Sequence, residues 1–244
     1  MLICRVFSRL LDYPTEQLHA YAHELRSLVE TAESVPGPVR QNLLTFLEGR
    51  LSQDLLDWQS DYDGLFERGR SVSLHLFEHV HGESRDRGQA MVDLMAQYRQ
   101  AGLELNVNEL PDYLPLYLEF VATQGEGAVA WLQDVAHVLA LLAARLQERE
   151  SDYALVVEAL LQLAGSQVDL APLREEVARE ERDDTPEALD KIWEEEMVSF
   201  ATGDPMGQGS SCGTASYRPT PAQRQDDVMA VQWVEPSLAE ASRR

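Results

Sequence analysis

Cysteine is scarce in this chain: Cys4 and Cys212 are its two residues, near opposite ends of 244. No C-x-x-C pair occurs, so neither a thiolate zinc site nor a disulfide framework is indicated. A reducing, cytoplasmic setting is the plain expectation. Positive charge is short as well, with 20 Lys and Arg against 42 Asp and Glu and a formal net charge of -22. Nucleic acids and anionic membranes both call for basic patches, so neither is expected as a partner. A basic partner suits the charge better. No apolar run approaches the roughly 18 residues of a membrane span. The start, MLICRVFSRLLDYP, carries Arg5 inside its apolar run and no small-residue cleavage site. Neither a signal peptide nor direct membrane insertion is expected. Also missing are β-type alternation, internal repeats and glycine-rich phosphate loops.

What remains is helical periodicity. The hydrophobic fraction of 44% is enough for a sizeable core. Leu2, Val6, Phe7 and Leu10 share one face, and Pro14 then opens a second helix whose apolar side runs Leu18, Tyr21, Leu25, Leu28 and Val29. Leu43 to Leu51 and Leu55 to Phe66 give two more, with Gly69 as a C-cap. Met91 to Tyr98 and Tyr113 to Thr123 follow, then a long buried helix over Ala128–Glu150 and another over Tyr153–Ala164. Two acidic helices close the pattern, the last capped by Thr185. From Ala201 onward Gly, Pro, Ser, Gln and Thr dominate. The expectation is all-α: one helical domain over residues 1–200 and a flexible tail over 201–244.

The chemistry concentrates in Ser71–Tyr98, which holds His75, His79 and His81, three of six histidines, among Glu78, Glu83, Arg85, Asp86 and Arg87. HLFEH fits H-x-x-E-H: histidines four apart on a helix face can bind zinc, with Glu78 as general base. That reading needs a third ligand and a cleft, and no residue stands out as either. The plainer reading is a polar rim. GSSCG at Gly209–Gly213 matches a nucleophile elbow in letters only, because neither strand nor helix flanks it. The acids from Glu175 to Glu196 lack the spacing of a Ca²⁺ loop and read as solvated helix faces with local ion pairs. A bundle with excess acid and spare aromatics can instead receive a basic amphipathic helix. Its apolar face would meet Phe66, Phe77, Tyr113 and Tyr117, and its cations Glu78, Asp86, Asp112 and Glu119. The plainer reading of the aromatics is core.

DYDGLFERGR (Asp61–Arg70), SLHLFEHVHGESRDRGQAMVDLMAQY, ELPDYLPLYLEF and RDDTPEALDKIWEEE together resemble the NarJ family of nitrate reductase molybdenum cofactor assembly chaperones, within the TorD-like maturation proteins. The resemblance covers most of residues 1–200. It implies an all-α, non-enzymatic cytoplasmic chaperone with no stably bound cofactor. Its partner would be the apo catalytic α subunit, alone or with the β subunit, bound partly through an N-terminal leader-like segment. It would assist insertion of the bis-molybdopterin guanine dinucleotide and an Fe–S cluster before membrane anchoring. A chaperone for a sulfoxide or N-oxide reductase is the neighbouring alternative, and a zinc hydrolase the distant one. The peptide surface expected from both readings comprises Phe66, Arg70, Phe77, Glu78, His79, His81, Arg85, Asp86, Asp112, Tyr113, Tyr117 and Glu119, with no catalytic or metal residue. Two departures stand out. Tyr113 replaces the His of a Pro-Asp-His common in the wider group, and His75 stands where the family pattern is apolar.

Overall fold

The computed structural model describes residues 2–82, 84–105, 109–166 and 168–191. The expected tail 201–244, and Ile192, Trp193 and Phe200 of the last helix, lie outside them. The described residues are all-α. In chain order the helices are α1 (Ile3–Leu11), α2 (Glu16–Ala20), α3 (Ala22–Glu30), α4 (Gly37–Ser52), α5 (Leu55–Tyr62), α6 (Leu76–His81) and α7 (Asp86–Gln100). After them come α8 (Leu114–Thr123), α9 (Ala128–Asp134), α10 (Ala136–Glu148), α11 (Tyr153–Leu163) and α12 (Leu170–Val177). A π-helical turn, Asp63–Glu67, continues α5.

Most of the marked apolar positions are buried or partly buried. On α1, Ile3, Val6, Phe7 and Leu10 are buried, and this face packs chiefly on α8. Leu2 does not join them, because it precedes the first helical turn and is 56% exposed. Pro14 likewise lies outside α2. Thr15 is the cap, its hydroxyl accepting from the Leu18 amide at 3.4 Å. Tyr21 sits at the break between α2 and α3 and points out, 59% exposed. The expected long helix over Ala128–Glu150 is two. Val135 breaks the ladder, and the pieces bend by 62°, which keeps both Leu132 and Leu139 fully buried. Glu150, with φ 54°, belongs to the turn into α11. Among the described residues no single helix is long and apolar enough to cross a membrane.

The centre of the bundle joins α4, α5 and α11 through polar aromatics. The buried Trp58 indole donates to the Tyr153 hydroxyl at 2.7 Å. Phe46 and Phe66 meet the Tyr153 ring edge-on at 5.1 and 5.0 Å, and the Arg50 guanidinium lies 5.0 Å from its centroid. Tyr153→Phe removes one oxygen and leaves the indole N–H without its acceptor in a dry core. The expected cost is about 1–3 kcal/mol, seen in urea unfolding as a lower midpoint at unchanged slope.

Candidate functional site

The stretch from Gly69 to Gly82 is built by its two flanks. Val72, Ser73 and Leu74 are buried, which ties the loop to the bundle. It then runs extended beside the segment before α8. The Leu114 amide donates to the Leu74 carbonyl at 2.8 Å and the Leu76 amide to the Asp112 carbonyl at 3.0 Å, around a β-bridge between His75 and Tyr113. Leu76 starts the six-residue α6, and Gly82 at φ 54° ends it. A left-handed residue is the usual way to stop a helix this short.

Asp112 anchors the front of this stretch. It is fully buried, accepts from the Phe77 amide at 3.1 Å, and faces His75 Nδ1 at 3.5 Å and Arg87 at 3.9 Å. Arg87 also donates to Glu78 at 3.2 Å. The Asp112 carboxylate raises the pKa of His75 against the opposing effect of burial. Behind α6 the bonding reverses. His79 Nε2–H donates to the Ser73 carbonyl at 2.8 Å, so Nδ1 is left to accept from Arg145 at 3.4 Å. Burial, with Arg145 beside it, lowers the pKa of His79 despite the bond to Ser73.

The two histidines therefore titrate apart. Near pH 6.5, where a free imidazole is half protonated, His75 is expected mostly protonated and His79 mostly neutral. Nitrogen-15 spectra of the rings check this, with the Nε2–H tautomer for His79. The linkage signs are opposite. The His75 contribution to stability is complete below its unfolded pKa and is lost as pH rises through the raised folded value. That of His79 is complete above its unfolded pKa and is lost as pH falls toward the lowered one.

A third layer comes from α10 and from the segment after α12. Arg145 pairs with Glu180 through two bonds of 2.8 Å and donates to the Ser71 carbonyl at 3.0 Å. Arg149 donates to Asp183 at 2.8 Å and to the Ser71 hydroxyl at 2.6 Å, and lies 3.2 Å from Asp184. Asp183 also accepts from the Arg70 and Ser71 amides and the Ser71 hydroxyl, each at 2.7 Å. Burial pushes the Asp183 carboxyl pKa up, but the bonds from Ser71 and Arg70 and the Arg149 charge outweigh it and hold it low. The ion pairs read from sequence as local are thus partly long-range, although Arg182 with Asp184 is local.

The expected peptide residues divide among four places. Phe66, Asp112 and Tyr117 are buried, at 5%, 0% and 3% exposure, so they support the surface from behind. The Tyr117 hydroxyl donates inward to the Trp131 carbonyl. Glu78 and the half-buried Tyr113 line a polar cavity of about 190 Å³ with Ser73, His75 and Phe66. Phe77 and His81 stack edge-on at 5.6 Å beside it, and Arg85 and Asp86 are exposed at the start of α7. Arg70 is exposed, and its backbone amide faces Asp183. Glu119 lies elsewhere, paired with Arg9 at 2.8 Å over a cavity of about 320 Å³ floored by Leu103, Leu116 and Phe120. A neighbouring cavity of about 370 Å³ shares Arg9 and is lined by Tyr13, Leu18, Tyr21 and Leu25. This α1–α8 groove was not anticipated, because its two walls are a hundred residues apart in sequence. H-x-x-E-H does not assemble as a helix-face pair: His75 precedes the first turn of α6, and the two rings face different partners.

An all-helical bundle with these surfaces falls in a known family. Residues 32–157 match the model described as nitrate reductase delta subunit. The chain is 50% identical over 214 residues to the nitrate reductase molybdenum cofactor assembly chaperone NarJ of Escherichia coli (strain K12), covering 87% of this chain and 90% of that protein. It is 46% identical over 201 residues to the probable assembly chaperone NarW of the same strain, covering 82% and 84%. Against the probable NarJ of Bacillus subtilis (strain 168) the figures are 32% over 155 residues, covering 63% and 83%. The chain belongs to the nitrate reductase delta subunit family, and within it to the NarJ group.

Proposed function

We propose that this protein is a system-specific maturation chaperone that binds the apo catalytic subunit of a respiratory nitrate reductase in the cytoplasm. It holds that subunit open for insertion of the molybdenum cofactor and an Fe–S cluster, before the enzyme meets its membrane anchor. The observation that carries the reading is the 50% identity to a molybdenum cofactor assembly chaperone across nearly the whole of both chains. The cofactor is the partner's cargo, and the role assigned to this chain is protein recognition.

Physical features support that role. A net charge of -22 favours a basic segment and speeds its encounter. The leader-like N-terminal segment of the catalytic subunit, as an amphipathic helix, would lay its apolar side on Phe77 and Tyr113 and its cations against Glu78, Asp86 or Glu119. Apolar burial contributes about 25 cal/mol per Å², less the cost of association. The test is capture of the apo catalytic subunit by this protein, with and without that subunit's N-terminal segment. Capture that needs the segment is expected. Equal capture without it removes the leader from the reading, and no capture removes the subunit. Capture of a sulfoxide or N-oxide reductase subunit in its place would favour the neighbouring alternative.

A further inference from the structure

We propose that Gly69–Ser71 and Arg149 form an oxyanion-binding nest, which Asp183 fills as a built-in ligand carried on a releasable strap. The nest has four donors converging on one carboxylate: the Arg70 amide, the Ser71 amide, the Ser71 hydroxyl and the Arg149 guanidinium, all at 2.7–2.8 Å. Consecutive backbone amides beside a guanidinium are how proteins hold carboxylate and phosphate oxygens. Gly69 lets the anion come close. It has φ 135°, and a Cβ there would lie 2.9 Å from the Asp183 carboxyl carbon. Arg149 is built into the site, its side chain 8% exposed.

The strap is held by charge. From Ala178 through Lys191 no residue is buried, so this described stretch after Val177 has little apolar attachment. Its hold on α10 comes from Glu180 on Arg145 and from Asp183 and Asp184 on Arg149. The more open Glu180 pair weakens with salt, and the buried Arg149 pairs, little screened, yield to an anion that supplies the same bonds, whereas apolar packing does not. Lifting the strap would bare two arginines one turn apart, next to the Ser71 carbonyl and His79. An external carboxylate or phosphate would then find the donors Asp183 had used. The proposal does not rest on the chaperone reading, and its test uses no partner.

The experiment is residue-resolved amide exchange on the full chain, as wild type, Asp183→Ala and Asp183→Asn. In Asp183→Ala the Arg70 and Ser71 amides are expected to exchange at least tenfold faster. Acetate or inorganic phosphate should restore protection where chloride of equal ionic strength does not. Rescue by acetate alone assigns a carboxylate ligand and rescue by phosphate alone a phosphate. Adding Arg149→Gln should abolish either. Asp183→Asn keeps the shape and one accepting oxygen but loses the charge, so a smaller acceleration is expected there, readable even if the alanine variant does not fold. In the wild type, phosphate should speed exchange of the strap amides while Arg70 and Ser71 stay protected. Unchanged exchange at Arg70 and Ser71 in both variants, or acceleration that neither anion reverses, would overturn the proposal.

Discussion

Replacing Asp112 with alanine is expected to lower the unfolding free energy by about 3–5 kcal/mol, the usual result of removing one partner from a buried charge cluster. The carboxylate is fully buried and serves three groups at once: the Phe77 amide at 3.1 Å, His75 at 3.5 Å and Arg87 at 3.9 Å. Its loss strands the amide and leaves two cations facing an empty site. Water reaches part of His75 and Arg87, at 28% and 23% side-chain exposure, so the lower end of the range is expected. Asp112→Asn should cost less, because its amide oxygen still accepts from Phe77 while the charge is gone. Urea unfolding measures both. A second signature separates this cluster from plain packing: His75 loses the carboxylate that raises its pKa, so it should titrate lower in either variant. A cost under about 1 kcal/mol for alanine would mean that the carboxylate is not what joins α6 to the start of α8.

The second large effect concerns partner binding. Glu119→Lys is expected to weaken binding of the catalytic subunit's N-terminal segment about tenfold at low salt and under threefold at high salt, because exposed charges act mainly through a screened field. Glu119 is 42% exposed and pairs with the still more exposed Arg9, so the fold should tolerate the change. Glu175→Lys on α12 alters net charge equally and serves as the control. Equal weakening by the two would reduce the effect to overall charge. Weakening by Glu78→Gln but not by Glu119→Lys would confine the peptide to the surface beside α6 and exclude the α1–α8 groove.

Much of the fold was legible because apolar spacing reports directly on burial. Val6, Phe7, Leu10, Leu139, Leu142 and Leu146 all lie in the core, as their three- and four-residue steps indicate. Exceptions fall where a helix breaks without glycine or proline, as at Tyr21 and Val135. Neither residue is a strong breaker, and tertiary packing decides the bend. The surface was less legible. A polar or aromatic residue near a charged cluster looks the same whether it faces inward or outward, so Phe66, Asp112 and Tyr117 were grouped with Glu78 although they are buried. Asp112 could not be recognised as buried, since its compensating cations lie 37 and 25 residues earlier, at His75 and Arg87. Arg145, Arg149 and Asp183 were missed for the same reason, although RDD is among the segments that carry the family resemblance. Ion pairs across 34 and 35 residues leave no periodic trace.

The central claim is that this chain recognises the N-terminal segment of an apo catalytic subunit. Calorimetric titration of that segment, as a synthetic peptide, tests it most directly. Saturable one-to-one binding is expected, with a negative heat-capacity change from apolar burial and an affinity that falls with salt and with Glu119→Lys. Absence of saturable binding at low salt, with the intact apo subunit still captured, would contradict the claim.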